Sequence, residues 1–270
     1  MSSTTEQSDR HPDGQISTEV RGNIFLIGID RPEKYNGFTP KMFSELADAY
    51  AELENNSELW VGVLFAHGKH FTAGLDLPKF ADAMKNGEAI LPTNGIDPFS
   101  LKPPFRTKPV VAAMHGICYT AAIELMLATE IVVSAKSARF SQLEVGRGVM
   151  AAAGATFRMV ERAGWGNAMK VLLTGYEFNA EEALRYNFIQ EIVDDGEEFN
   201  RALELAEEIA KQAPLAVQAT LQSSRAYYFD SPKAAVDEFI PVMKALANTD
   251  DAAEGVQSFI EKRPPVYQGK

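Results

Sequence analysis

The stretch that decides the fold is Val110-Val111-Ala112-Ala113-Met114-His115-Gly116-Ile117-Cys118-Tyr119-Thr120-Ala121-Ala122-Ile123-Glu124-Leu125. Its first five residues form an unbroken apolar run, the pattern of a strand covered on both faces. Small residues carry the chain around a turn, and residues 121–128 read as a helix. Small side chains leave main-chain N–H groups open to a ligand, and the helix end adds positive dipole character. Glu124 lies three residues after Ala121 and therefore shares its helix face.

The pattern repeats outward from there. Residues 24–29 and 60–66 are apolar runs, and between them Thr39 is a good N-cap with Pro40 at the first helical position. Met42, Phe43, Leu46, Tyr50 and Leu53 follow at helical spacing, so strand, helix and strand make a parallel crossover unit. Residues 131–134 read as a further strand, and the small residues 151–155 open another helix. Beyond Ile192-Val193 only helical patterns remain, over 197–212, 214–228, 232–247 and 251–261, which predicts a helical C-terminal subdomain from residue 196. Residues 20–195 form the α/β core. The segment 81–108, with Pro92, Gly95, Pro98, Pro103 and Pro104, is expected to be only partly helical and to act as a lid or binding wall. Residues 1–19 are polar, lack the apolar stretch of a secretory signal, and are expected to be a disordered tail.

Composition narrows the function classes. With 46% apolar and 23% charged residues the chain is globular, which excludes collagen-like, coiled-coil and wholly disordered readings. A net charge of −11 repels nucleic acid and anionic membrane surfaces. The most apolar window, 109–134, is interrupted by His115, Glu124 and Glu130, which argues against a membrane span. Cys118 is the single cysteine, so internal disulfides and Cys-rich zinc sites are excluded and a reducing, cytoplasmic compartment fits.

A second small-residue turn, His70-Phe71-Thr72-Ala73-Gly74-Leu75-Asp76-Leu77, also follows an apolar strand. Two such turns aimed at one point make an oxyanion hole. Glu144, in Phe140-Ser141-Gln142-Leu143-Glu144, follows the strand 131–134, and a return across the same strand end would bring it to Glu124.

In these residues the sequence resembles the crotonase superfamily, the enoyl-CoA hydratase and isomerase relatives, over about residues 20–270. Asp30-Arg31-Pro32-Glu33-Lys34-Tyr35-Asn36 resembles the early Arg-Pro…Asn segment, 71–77 the first oxyanion turn, 116–125 the second, and 140–156 the stretch bearing the second acid. The ending Phe259-Ile260-Glu261-Lys262-Arg263-Pro264-Pro265-Val266-Tyr267 is similar to the closing pattern. The resemblance implies an α/β fold with a repeated ββα spiral core and a helical subdomain that packs between protomers of a homotrimer or dimer of trimers. It implies that the Leu75 and Ala121 amides bind a thioester oxygen, that Glu124 and Glu144 are catalytic, and that Ala73, Gly74, Asp76, Leu77 and Lys79 meet the acyl-CoA. It implies hydration of a 2-enoyl-CoA to a 3-hydroxyacyl-CoA with no metal or redox cofactor, coenzyme A being part of the substrate. The rivals are other reactions on the same hole (isomerase, thioesterase, decarboxylase or retro-Claisen lyase) and a silent acyl-CoA-binding or RNA-binding relative. Three glycines common in hydratases are here Thr120-Ala121-Ala122, whose Cβ atoms narrow the approach to the thioester.

Plainer roles compete for several of these residues. Glu124 alone reads as a first-turn acid complementing the helix dipole, Glu144 as a surface carboxylate paired with Arg147, and Asp76 as a capping acid. Arg147 is either a solvated structural partner or a cation lining the acyl end that selects a carboxylated or hydroxylated substrate, with structure favoured. His67, His70 and His115 lack metal-ligand spacing and read as packing or surface residues, and Cys118 as an inert buried thiol. Trp60 and Trp165 are expected in the core or an interface. Lys79, Lys108, Lys262 and Arg263 are candidates for CoA phosphates, each more often an ordinary surface charge.

Overall fold

The computed structural model describes residues 11–88 and 95–270. A hairpin opens the chain: β1 (Gln15–Arg21) runs antiparallel to β2 (Ile24–Asp30). Order therefore begins inside the expected tail, because Ile16 and the main chain of 15–21 find a sheet edge that a polar composition does not reveal. From β2 the crossover helix α1 (Pro40–Asn55) leads to β3 (Val61–Ala66), parallel to β2. The Thr39 hydroxyl accepts the Met42 amide at 3.3 Å as the expected cap, and Met42, Phe43, Leu46, Tyr50 and Leu53 are all buried.

The short helix α2 (Ala81–Asn86) lies on the way to β4 (Val110–Met114), while Pro92 falls outside the described residues. Next come β5 (Ile117–Tyr119), α3 (Ala121–Leu127), β6 (Ile131–Ala135) and β7 (Arg139–Ser141). Helices α4 (Ala155–Ala163) and α5 (Trp165–Thr174), strand β8 (Phe178–Asn179), α6 (Ala180–Arg185) and β9 (Glu191–Val193) complete the core. The larger sheet has the order β1-β2-β3-β4-β6-β9, and a smaller one β5-β7-β8. Each repeat thus gives one strand to the large sheet, one extended segment to the small sheet, and a helix: a ββα spiral. The strands of the small sheet, two or three residues each, are too short to show a period in sequence.

Both faces of the large sheet are covered, which explains its continuous apolar runs. Phe25, Ile27, Ile29, Val110, Ala112 and Met114 point into the main core with α1 and α3. The alternate residues Ile24, Leu26, Val61, Val63, Val111 and Ala113 pack on Ala202 and Ala206 of α7 (Glu198–Ala210). The first helix assigned to the C-terminal subdomain is therefore part of the core. Helices α8 (Pro214–Phe229), α9 (Pro232–Asp237), α10 (Phe239–Ala247) and α11 (Asp250–Glu261) follow. The stretch expected as one helix over 232–247 breaks at Glu238.

The Arg-Pro…Asn segment is a structural clasp. Asn36 is fully buried, and its Oδ1 accepts the Arg31 amide at 2.6 Å. Its Nδ2 donates to the carbonyls of His67 at 2.8 Å and His70 at 2.7 Å. It thereby ties the loop after β2 to the loop that enters the 71–77 turn. Asn36→Ala leaves these buried groups unpaired and is expected to cost about 3 kcal/mol or more, lowering Tm by roughly 10 °C in thermal unfolding. Asn36→Asp should not rescue it, since a carboxylate cannot donate to two carbonyls. A Tm within roughly 2 °C of wild type would show the loops are held otherwise.

Candidate active site

The two small-residue turns are brought side by side by the small sheet. Thr72 pairs in parallel with Cys118 of β5, its amide donating to the Ile117 carbonyl at 3.2 Å and its carbonyl accepting the Tyr119 amide at 3.0 Å. Gly116, with φ +57°, bends the chain from β4 into β5; a Cβ there would stand 2.1 Å from the Lys69 carbonyl oxygen. The first turn is fixed from the other side, because Phe38 donates to the Gly74 carbonyl and accepts the Asp76 amide, both at 2.9 Å. That pairing uses both main-chain groups of Phe38 and turns the Leu75 N–H away. Ala121 opens α3, where a first-turn amide has no intrahelical acceptor. Among the described residues neither the Leu75 nor the Ala121 N–H has an acceptor.

Thr120 holds the two turns in contact. Its φ of +52° and ψ of −108° lie where glycine is at ease and a β-branched residue is not. It is secured by its amide on the Ser141 carbonyl (2.9 Å) and by its own carbonyl, which accepts Ile123 (2.9 Å) and Glu124 (3.2 Å). A Cβ on Gly74 would fall 1.9 Å from Thr120 Oγ1, so the glycine is needed where the threonine sits.

Glu124 is 5% exposed on α3. Its Oε1 accepts the amides of Ala153 (2.7 Å) and Ala155 (3.2 Å), so the small residues before α4 serve as hydrogen-bond donors as well as a helix start. Burial pushes its carboxyl up to about 7, with the Glu144 charge adding to the rise; the two amides and Arg158 oppose it. Glu144 begins a single turn, Glu144–Arg147, after β7. Its Oε1 accepts Gln142 Nε2 at 3.0 Å, its Oε2 is buried without a partner, and burial raises this carboxyl as well. The pairing with Arg147 that a plainer surface role would give it is not found. Glu124, Glu144, Leu75, Ala121, Ala73 and Leu77 all line one cavity of about 330 Å³.

Other expectations are placed differently. The Asp76 side chain makes no cap bond, and its Oδ2 pairs with buried Arg31 at 2.8 Å, outside the cavity wall. Gly74 supports the wall through Thr120, and exposed Lys79 is paired with Asp13. Lys108 is buried, its Nζ donating to the carbonyls of Leu53 (2.7 Å) and Asn56 (2.6 Å), so it is not available to a phosphate. Arg263 is held by Glu254 at 2.6 Å and Glu261 at 2.5 Å, and Lys262 closes α11. His67 meets Ser17 Oγ at 2.7 Å, and His70 Nδ1 accepts the Ile117 amide at 3.2 Å while its ring stacks on Tyr35. His115 meets the Gly68 carbonyl at 3.2 Å and faces Glu198. Burial raises the Cys118 thiol well above its ordinary range. Trp165 is 71% exposed and fills no core space, whereas half-buried Trp60 donates to the Ser57 carbonyl.

Met84 and Phe99, from the segment 81–108 expected to form a binding wall, and Phe43, which reads in sequence only as the apolar face of α1, complete the apolar wall. Arg158 is evident only in the fold. Buried on α4, it donates to the carbonyls of Phe99 (2.7 Å) and Ser100 (3.1 Å), joining the segment after residue 95 to the helix next to Glu124.

With this geometry in view, the comparisons with known proteins agree. The sequence pattern described as "Enoyl-CoA hydratase/isomerase" matches residues 19–270. The chain is 32% identical to enoyl-CoA hydratase EchA19 of Mycobacterium tuberculosis, over 96% of this chain and 97% of that protein. It is 31% identical to the carnitinyl-CoA dehydratase of Proteus mirabilis, over 93% and 97%. The crystal structure of a probable enoyl-CoA hydratase/isomerase from Mycobacterium abscessus superposes with a TM-score of 0.91 at 40% identity, covering 94% of this chain and 98% of that one. A spiral of ββα units, two adjoining amide turns and a full-length match lead to one conclusion: this chain belongs to the enoyl-CoA hydratase/isomerase family, with the crotonase fold.

Proposed function

We propose that the protein is an enoyl-CoA hydratase, adding water across the 2,3 double bond of a 2-enoyl-CoA to give a 3-hydroxyacyl-CoA. The observation that carries this reading is that Glu124 and Glu144 line the same cavity as Leu75 and Ala121, whose amide N–H groups have no acceptor among the described residues; burial raises both carboxyl groups. The Leu75 and Ala121 amides take the thioester oxygen and strengthen their hold as it becomes an enolate. One carboxylate takes a proton from water as its oxygen bonds to C3, and the other carboxyl delivers a proton to C2. Two acids raised by burial can supply one acid and one base near neutral pH. Glu144 Oε2, buried and without a hydrogen-bond partner among the described residues, is the carboxylate oxygen whose acceptor capacity is unspent in this reading. Coenzyme A enters as part of the substrate, and the reaction calls for no metal or redox cofactor. Ala73 and Leu77 flank the thioester in this reading, and exposed Lys79 on the same loop would exchange Asp13 for a phosphate, a surface pair being weak.

The assembly proposed with it is a homotrimer or dimer of trimers in the cytoplasm. Support comes from the apolar side chains that α8–α11 leave exposed, among them Phe239, Ile240, Met243 and Phe259. No helix among the described residues is long and apolar enough to cross a membrane.

Hydration of short, medium and branched 2-enoyl-CoAs, followed by loss of the conjugated thioester absorbance and by a mass gain of one water, tests the reaction. Glu144→Gln should lower the rate by on the order of 10²-fold or more. Equal rates for wild type and variant, or no water added to any ester, would overturn the reading. Light scattering should return the mass of three or six chains; a monomer would remove the assembly.

A buried acid kept for chemistry also has a stability signature. Below its ordinary value of 4.5, Glu124 is protonated in both folded and unfolded chains and costs nothing. As pH rises through 4.5 towards about 7 the unfolded chain releases its proton first, and stability is lost, by up to about 3 kcal/mol once the folded group ionises. Glu124→Gln keeps an Oε1 acceptor for Ala153 and Ala155. It should therefore raise Tm at pH 8 and lose that advantage by pH 5. A Tm difference that ignores pH would show the carboxyl to be unperturbed.

A further inference from the structure

Among the described residues the cavity is lined by one cation, Arg147, for which no partner is found. Arg147 lines the same space as Glu124 and Glu144, and it is the only Lys or Arg among the described lining residues. Among the described residues its guanidinium makes no hydrogen bond, ion pair or ring contact, although it is exposed and free to seek one. The buried arginines behave otherwise: Arg31 pairs with Asp76, Arg106 with Glu130, and Arg158 with carbonyls of 99 and 100. Arg147 stands between Gly146 and Gly148, where an added Cβ would meet nothing within 4 Å, so this stretch of the turn is open.

The turn Glu144–Arg147 is a 3-10 turn, in which residues three apart lie one above the other. Arg147 therefore stands on the face that carries Glu144, displaced by about 6 Å along the turn axis. Glu144 does not neutralise it, since its Oε1 is taken by Gln142 and its Oε2 has no partner. The cavity that Arg147 lines also has apolar walls, among them Phe43, Met84, Val149 and Met150. A neutral acyl chain filling that space would strip water from an unpaired charge and return nothing. A carboxylate would replace the water with a forked, charge-assisted pair.

We infer that the acyl group carries a carboxylate and that Arg147 receives it, so that the substrate is the mono-thioester of a short dicarboxylic 2-enoic acid. This rests on the hydratase reading of the cavity. A CoA phosphate has the same chemistry for a guanidinium, and the experiment separates the two.

Full-length protein is assayed with pairs of 2-enoyl-CoAs of equal chain length, one ending in a methyl group and one in a carboxylate. Wild type should favour the carboxylated ester by about tenfold or more in kcat/KM, a charge-assisted hydrogen bond being of that size. Arg147→Met should collapse the ratio, mainly through KM, and Arg147→Lys should keep part of it. Equal losses on both esters would assign the guanidinium to a CoA phosphate and overturn the inference, as would a wild-type enzyme without preference. Titration calorimetry with the corresponding saturated mono- and dicarboxylic acyl-CoAs reads the same preference without turnover. A tenfold tighter carboxylated ester in wild type, lost in Arg147→Met, would uphold the inference even if no ester were hydrated. Equal affinities would overturn it.

Discussion

Everything at the site depends on holding the Glu124 carboxyl inside the protein. Taking a carboxylate out of water is expensive, and the fold offsets only part of the cost, with two amides on one oxygen. Those amides belong to Ala153, just before α4, and Ala155, its first residue, so the bonds that steady the acid also draw the start of α4 over α3 and close one side of the cavity. The compensation is incomplete by design of the packing: more donors would hold the group ionised, and fewer would leave it a neutral acid with no basic partner role.

The small sheet is what turns two separate loops into one site. Parallel pairing of Thr72 with Cys118 sets the first turn against the second, and the contact of Thr120 on Gly74 sets their distance. Strain is concentrated there. A threonine at positive φ is tolerated because its amide and carbonyl are both committed and because its side chain occupies space that a Cβ at position 74 would need. Further out, Asn36, Arg31 and Asp76 hold the loops from behind, which is why an Asp76 that read as a ligand or a cap proves to be a brace.

Much of this was legible before folding. Strands covered on both faces announced themselves as unbroken apolar runs, and α1 announced itself through Thr39, Pro40 and a regular apolar face. The second acid and both turns were visible as short motifs in order. What stayed hidden did so for physical reasons. Strand β1 is polar on its outer face and stabilised by main-chain pairing, which leaves no apolar period. Arg158, Phe99 and Lys108 act through carbonyls far along the chain, and a main-chain acceptor has no sequence signature. The break at Glu238 separates two helices whose patterns run together in sequence.

By itself, then, the amino-acid order determined the kind of architecture and the identity of the acids and small-residue turns, because burial periodicity and residue chemistry are local properties. Only the tertiary structure decided that, among the described residues, the Leu75 and Ala121 amides and the Arg147 guanidinium meet no partner, and that Glu124 is buried on two amides while Glu144 keeps an unpaired oxygen. Those outcomes depend on which groups, distant in the chain, arrive first at each donor and acceptor, and that competition is settled only when the strands have taken their register.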